Sequence, residues 1–137
     1  MRVMIDTNIL ISAILGDGTP YRAYIKAVSY PNQGIVCIQN FDELRRIFNK
    51  KLPKKIASME RFLSMALPSL EIVEIPEKEV PEEQLIRDLN DRAIMRAAVT
   101  SKVDILLTGD KDFLESGIEK PQIMTAREFV DGTTGIP

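Results

Sequence analysis

The sequence predicts a three-layer α/β/α sandwich on a mainly parallel central sheet of about four to five strands. Three observations carry this expectation. Short apolar runs alternate along the chain with longer segments whose apolar residues recur at helical spacing. Ile105-Leu106-Leu107 is apolar throughout and is closed by Thr108-Gly109, the pattern of a strand buried on both faces. Carboxylates follow two such runs at once: Asp6 after Val3-Met4-Ile5, and Asp110 with Asp112 after Leu107. Open α/β sheets bind ligands beyond the carboxyl ends of their strands, so acid stands where such folds do their chemistry.

Each element has its own justification. Arg2-Val3-Met4-Ile5 is the first strand. Asp6-Thr7-Asn8 supplies three good N-cap types, so a helix is expected from about Ile9. Gly16 to Pro20 stops it, Tyr21 to Tyr30 forms a second helix, and Pro31 to Gly34 ends that one. Ile35 to Ile38 is the second strand. Asn40-Phe41-Asp42-Glu43 opens a helix with Phe41, Leu44, Ile47 and Phe48 on one stripe, and Pro53 ends or breaks it. Ile56 to Leu67 is helical, with Met59, Phe62, Leu63 and Ala66 on one face. Leu70 to Ile75 alternates apolar and acidic, as an edge strand does. The acid-rich loop Pro76 to Glu83 is expected to be the mobile segment, and Glu82 to Ile86 a helical turn. Asp88-Leu89-Asn90-Asp91 opens a helix carrying Ile94, Ala97 and Ala98. After the strand ending at Leu107, Gln122-Ile123-Met124 is a last strand, leading through Thr125 into a helix from Ala126 to Val130. Residues 1–131 are expected to form one domain, and the Gly/Thr-rich 132–137 a frayed tail.

The totals bound the chemistry. At 137 residues the chain has the size of one domain and needs no disulfide. Its single cysteine, Cys37, lies in Ile35-Val36-Cys37-Ile38 and reads as a buried, inert thiol. There is no histidine, which excludes Ser-His-Asp and Cys-His catalysis and any His-ligated metal within one chain. No apolar run is long enough to span a bilayer, and Asp6 and Asn8 interrupt the one stretch resembling a signal segment. A cytoplasmic protein is expected.

Four separated segments bring a carboxylate toward one sheet edge. Asp6 and Asp110 with Asp112 follow strands; Glu43 and Asp91 open helices that begin or lie beside that edge. Each has a plainer reading. Asp6 can simply cap its helix, Asn40/Glu43 and Asp88/Asp91 have capping-box spacing, and acids at helix N-termini gain from the macrodipole. The conjunction weighs more. Like charges gathered together are costly unless a cation neutralises them, and an all-oxygen donor set suits Mg²⁺ or Mn²⁺. Carboxylate-held metal without histidine suits phosphoryl chemistry.

In order and spacing, Val3 to Asn8, Asp42-Glu43-Leu44, Asp88 to Asp91, and Leu107-Thr108-Gly109-Asp110-Lys111-Asp112-Phe113 resemble the PIN-domain nucleases. Ile123 to Phe129 is similar to that family's closing strand and helix, so the resemblance covers nearly the whole chain. Small single-domain members include the VapC-type toxins of toxin–antitoxin pairs. The resemblance implies an acidic metal site of Asp6, Glu43, Asp91 and Asp110, with Asp112 as an auxiliary ligand. It gives Asn8 and Thr108 the task of orienting ligands or a metal-bound water. It implies Mg²⁺- or Mn²⁺-dependent endonucleolytic cleavage of single-stranded RNA, a cognate antitoxin partner and a homodimer. Asp42 beside Glu43, and Asp88 beside Asp91, leave the register of the second and third acids open.

Residues 45–61 carry a local charge of +6 from Arg45, Arg46, Lys50, Lys51, Lys54, Lys55 and Arg61 against Glu60. This run is either the RNA-binding face, since phosphate contacts supply most non-specific affinity, or a solvated helix face. Rival functions are a Mg²⁺-dependent phosphatase using Asp110-Lys111-Asp112, a phospho-receiver module, and a non-catalytic scaffold of the same fold that binds RNA or protein.

Overall fold

The computed structural model of the chain describes residues 1–132; residues 133–137 of the expected tail lie outside the described residues. Five strands form one sheet: β1 (Arg2–Ile5), β2 (Gln33–Cys37), β3 (Leu70–Val73), β4 (Ile105–Leu107) and β5 (Gln122–Met124). Their order is β3-β2-β1-β4-β5, and every pairing is parallel. "Mainly parallel" therefore becomes wholly parallel among the described strands. The helices are α1 (Thr7–Leu15), α2 (Thr19–Val28), α3 (Ile38–Lys51), α4 (Ile56–Ala66), α5 (Leu89–Thr100), α6 (Lys111–Leu114) and α7 (Ala126–Asp131).

Strand residues alternate between two cores, as a pleat requires. Val3, Ile5, Val36, Ile105, Leu107 and Met124 pack under α1, α2, α3, α4 and α7. Met4, Ile35, Cys37 and Leu106 pack on the other face against α5, Ile86, Phe113 and Ile118. This is the expected three-layer sandwich, and Cys37 is buried in it.

The chain winds outward from β1 through β2 to β3, then crosses back to build β4 and β5 on the other side. The direction of winding therefore reverses between β1 and β4. At such a point the loops leaving adjacent strand ends diverge and open a crevice. β1 runs into Asp6 and β4 into Thr108, so the two acid-bearing ends flank that crevice.

Several boundaries differ from expectation. α1 starts at Thr7, not near Ile9, because Asp6 is its N-cap and accepts the Thr7 N–H. Pro20 lies within the first turn of α2; a proline there sacrifices only an N–H that has no helical partner, so it starts the helix rather than delaying it. α3 begins at Ile38 directly from β2, with Cys37 at the cap and no side-chain cap bond. The capping-box reading of Asn40/Glu43 is thereby withdrawn: Asn40 lies inside the helix. The loop from Pro76 to Glu83, expected to be mobile, is tied down. Arg96 of α5 holds Glu83 through two bonds of 2.8 and 2.9 Å and reaches the Pro76 carbonyl at 3.1 Å. Glu83 also accepts the Val80 N–H and is 1% exposed. Gly132 closes α7 in the left-handed conformation (φ 65°), which only glycine adopts at little cost. No helix among the described residues is long and apolar enough to cross a membrane.

Candidate active site

Asp6 is the centre of the crevice. It is buried, and each carboxylate oxygen accepts two hydrogen bonds. Oδ1 accepts the Thr7 N–H at 2.9 Å and Asn40 Nδ2 at 3.1 Å. Oδ2 accepts the Thr108 hydroxyl at 2.7 Å and Asn8 Nδ2 at 3.1 Å. Burial raises the pKa of this carboxyl; bonds from Thr108 and Thr7 act against that, while the charges of Glu43 and Asp110 add to it. Four donors on one carboxylate fix its rotamer and favour the ionised form in a place where water does not reach.

The loop after β4 is built on the same residues. Asn8 Oδ1 accepts the Gly109 N–H at 3.0 Å, and the Thr108 hydroxyl accepts the Asp110 N–H at 3.0 Å. Asp110 caps α6 by accepting the Asp112 N–H at 2.9 Å. The β1 and β4 ends are thus clamped together through Asn8 and Thr108.

The third contribution comes from α5. Asp88 is its N-cap and accepts the N–H groups of Asn90 and Asp91. Asp91, in the first turn, is partly buried against the sheet. Burial pushes its carboxyl up to about 7, with the charges of Asp110, Asp88, Asp6 and Asp112 adding to the effect. Asp88, Asp91 and Asp112 each present a carboxylate oxygen, all within 4.8 Å of one another. Glu43, in the second turn of α3, is partly buried and close enough for its charge to act on Asp6, whereas Asp42 beside it is exposed.

Asp6, Asp110 and Asp112 are close enough for their charges to act on Asp91, and Glu43 on Asp6, but the carboxylates that meet within 4.8 Å are those of Asp88, Asp91 and Asp112; Asn8 and Thr108 hold the framework. The two open registers part differently: Glu43 faces inward and Asp42 does not, while Asp88 and Asp91 both stand at the site. Around this cluster the compensating cations are few. Arg87 lies 3.6 Å from Asp112 but is 91% exposed.

The basic run is not gathered there. Arg45 is paired with Glu60 across α3 and α4, and Arg46 is exposed. Lys50 and Lys51 occupy the last turn of α3, about 10 Å along the helix axis from Glu43. Lys54 and Lys55 follow in a short 3₁₀ turn, Pro53–Lys55.

Two residues escaped the sequence reading. Asn40 is 2% exposed and donates to Thr7 Oγ1 at 2.6 Å as well as to Asp6. The signal for it was present: it is a polar residue one turn before Leu44, on the apolar stripe of α3. Its own Oδ1 is buried with no partner among the described residues, a buried acceptor facing no donor. Asp88 reads in the sequence as a helix cap or as an alternative to Asp91; the structure makes it both the cap of α5 and a neighbour of Asp91 and Asp112.

Residues 2–112 match the family model described as PIN domain. No curated protein matches the chain in sequence. Among solved structures, VapBC2 from Rickettsia felis bound to a DNA fragment from its promoter is similar over 91% of this chain and 98% of that one, with 22% identity and a TM-score of 0.68. A toxin–antitoxin complex from Klebsiella pneumoniae is similar over 90% and 97%, with 23% identity and a TM-score of 0.66. At these identities the likeness is one of fold.

Proposed function

The chain belongs to the PIN-domain family, and from that premise we propose that it is a divalent-metal-dependent endoribonuclease that cleaves single-stranded RNA in the cytoplasm as the toxin of a toxin–antitoxin pair. One observation supports this reading above the others. Carboxylates from separate segments gather near the switch point of the sheet, and burial, with their mutual repulsion, pushes Asp91 up to about 7. A fold maintains such an arrangement at a cost in stability, which a bound cation removes.

The donor set fits Mg²⁺ or Mn²⁺. Every donor is a carboxylate oxygen, there is no histidine, and the one thiol is buried in the core. In this reading Asp6, Glu43, Asp91, Asp110 and Asp112 hold the metal, with Asp88 beside them. A cation so held would supply an activated water and would neutralise charge developing on the phosphate. The chain's own contribution is preorganisation. Thr7, Asn8, Asn40 and Thr108 fix Asp6 before substrate arrives. Asn8 also bonds the Gly109 backbone, so the Asp6 and Asp110 loops keep a constant separation. Asp91 ionises near neutral pH, so the charge it would offer a metal grows as pH rises through about 7. The phosphatase alternative finds less support: Asp110 is held as a helix cap by the Asp112 N–H and is not a free nucleophile.

An antitoxin partner is supported by the nature of the similar complexes and by an apolar groove of about 450 Å³ between α1, α2 and α4. Ile14, Tyr21, Ile25, Phe62 and Met65 line it, and Met65 is 81% exposed, an area of apolar surface suited to a partner helix. The same reading takes the single domain of residues 1–131 to associate as a homodimer. The test is cleavage of an end-labelled single-stranded RNA with Mn²⁺ and with EDTA, beside Asp91→Asn. Cleavage only by wild type with metal is expected. Metal-independent cleavage, or equal cleavage by the variant, removes the proposed mechanism.

A further inference from the structure

A substrate strand with a charge at every phosphate must reach this acidic crevice over some flank. Toward α5 and α6 the neighbouring hollow is lined by Asp112 and Glu115 as well as Arg87 and Lys111, so its charges cancel. On the opposite side a shallow groove of about 420 Å³ opens directly from the crevice, sharing Asn8 and Gly109 with it. Ser12, Thr19, Thr125 and Arg127 continue its lining, and no acidic side chain takes part.

We propose that this groove, between the start of α2 and the start of α7, carries the single-stranded RNA on one side of the cleaved phosphate, with Arg127 as its phosphate contact. The inference rests on the nuclease reading and adds the direction of the strand. Four features agree. Arg127 is exposed, and its guanidinium makes no ion pair or hydrogen bond among the described residues. The first turn of α2 has no side-chain cap and no acid; Pro20 contributes no N–H, and the N–H groups of Thr19 and Tyr21 are the ones it can offer a phosphate oxygen. Ser12, Thr19 and Asn8 add uncharged polar groups of the kind that position a backbone. Space is open at Gly109: a Cβ added there meets only Asn8 Oδ1, at 3.5 Å, an ordinary contact.

The test measures binding of a fluorescent single-stranded RNA to the full chain in EDTA, where no cleavage intervenes. Arg127→Gln, Ser12→Trp and, as a charge control at the opposite sheet edge, Lys102→Gln are compared with wild type. Melting temperature and Mn²⁺ affinity are recorded for each. Arg127→Gln is expected to weaken binding and to lower the log–log salt slope by about 0.7, the value for one single-strand phosphate contact. Ser12→Trp, which fills the groove from α1, should weaken binding roughly tenfold, the order of one lost base or backbone contact. Mn²⁺ affinity and melting should stay at wild-type values in both, and Lys102→Gln should bind as wild type. If wild type binds RNA and both groove variants bind it equally well, the strand runs elsewhere and the groove is left to a protein. If all three variants weaken binding alike, the effect is general electrostatics and the groove has no special part. If wild type neither binds nor cleaves RNA, the nuclease reading falls and takes the groove with it.

Discussion

Asp91→Asn should stabilise the metal-free protein while destroying its activity. A carboxyl raised from 3.8 to about 7 costs the fold, once ionised, on the order of 4 kcal/mol at about 1.4 kcal/mol per tenfold change in acidity. Asp91 is only partly buried and water screens it, so about 2 kcal/mol is the working figure. The folded pKa lies above the unfolded one. The penalty is therefore full above about pH 7, fades as pH falls through that value, and vanishes below the unfolded pKa near 4. Asparagine keeps the shape and removes the charge. In EDTA at pH 8 the variant should melt about 6–10 °C above wild type, taking about 3–5 °C per kcal/mol for a chain of this size. By pH 5 less than half of the gap should remain. Mn²⁺ at a hundred times its dissociation constant should then raise wild type by about 2.7 kcal/mol and the variant far less, reversing their order. The experiment is a set of melts of both proteins at the two pH values, with EDTA and with Mn²⁺. A variant that melts at or below wild type in EDTA at pH 8, or a gap that does not narrow with acid, would refute the reasoning. Asp91 would then be a helix-terminal charge and no more.

The remaining acids behave differently. Asp6→Asn should lower stability by about 1–3 kcal/mol, because its new NH₂ must face two of the four donors that now bond Asp6; urea denaturation in EDTA checks this opposite sign. Asn40→Ala, which removes the donor shared by Asp6 and Thr7, should cost a similar amount and weaken Mn²⁺ binding, read by titration of the folded variant. Glu83→Gln breaks a pair that is almost wholly buried on its acidic side and should cost about 3 kcal/mol. Arg96 holds the Glu83 carboxyl below the usual range; that stability is present above the unfolded pKa and is lost as pH falls through the folded one. Wild type without metal should thus gain stability on mild acidification and lose it again below about pH 4, an ordering that melts across pH can contradict. Neutralising Lys50, Lys51, Lys54 and Lys55 together should flatten the salt dependence of RNA affinity if the basic run contacts the strand, and an unchanged slope makes that run a solvated face.

Most of the architecture was legible in the sequence because it is written in periodicity. A run such as Ile105-Leu106-Leu107 is buried on both faces only in a sheet covered on both sides. Phe41, Leu44 and Phe48 define a helix stripe wherever that helix is placed. The carboxylates Asp6 and Asp110 were legible for a similar reason: they directly follow strands, so sheet geometry alone assigns them to one edge. Helix starts were read less well, since Asp, Asn and Pro serve several local conformations, and tertiary bonds chose among them. Asn40 is the clearest case. Its spacing to Glu43 allowed a cap, but its amide is committed to Asp6 and Thr7, residues more than thirty positions away in the chain. Asp88 likewise became part of the cluster only when α5 packed beside β4. The raised pKa of Asp91 belongs wholly to the tertiary structure. Sequence can state that carboxylates exist and on which element they lie. Their repulsion depends on separation and on the water between them, and both are decided only when β1, β4, α3 and α5 come together at one point.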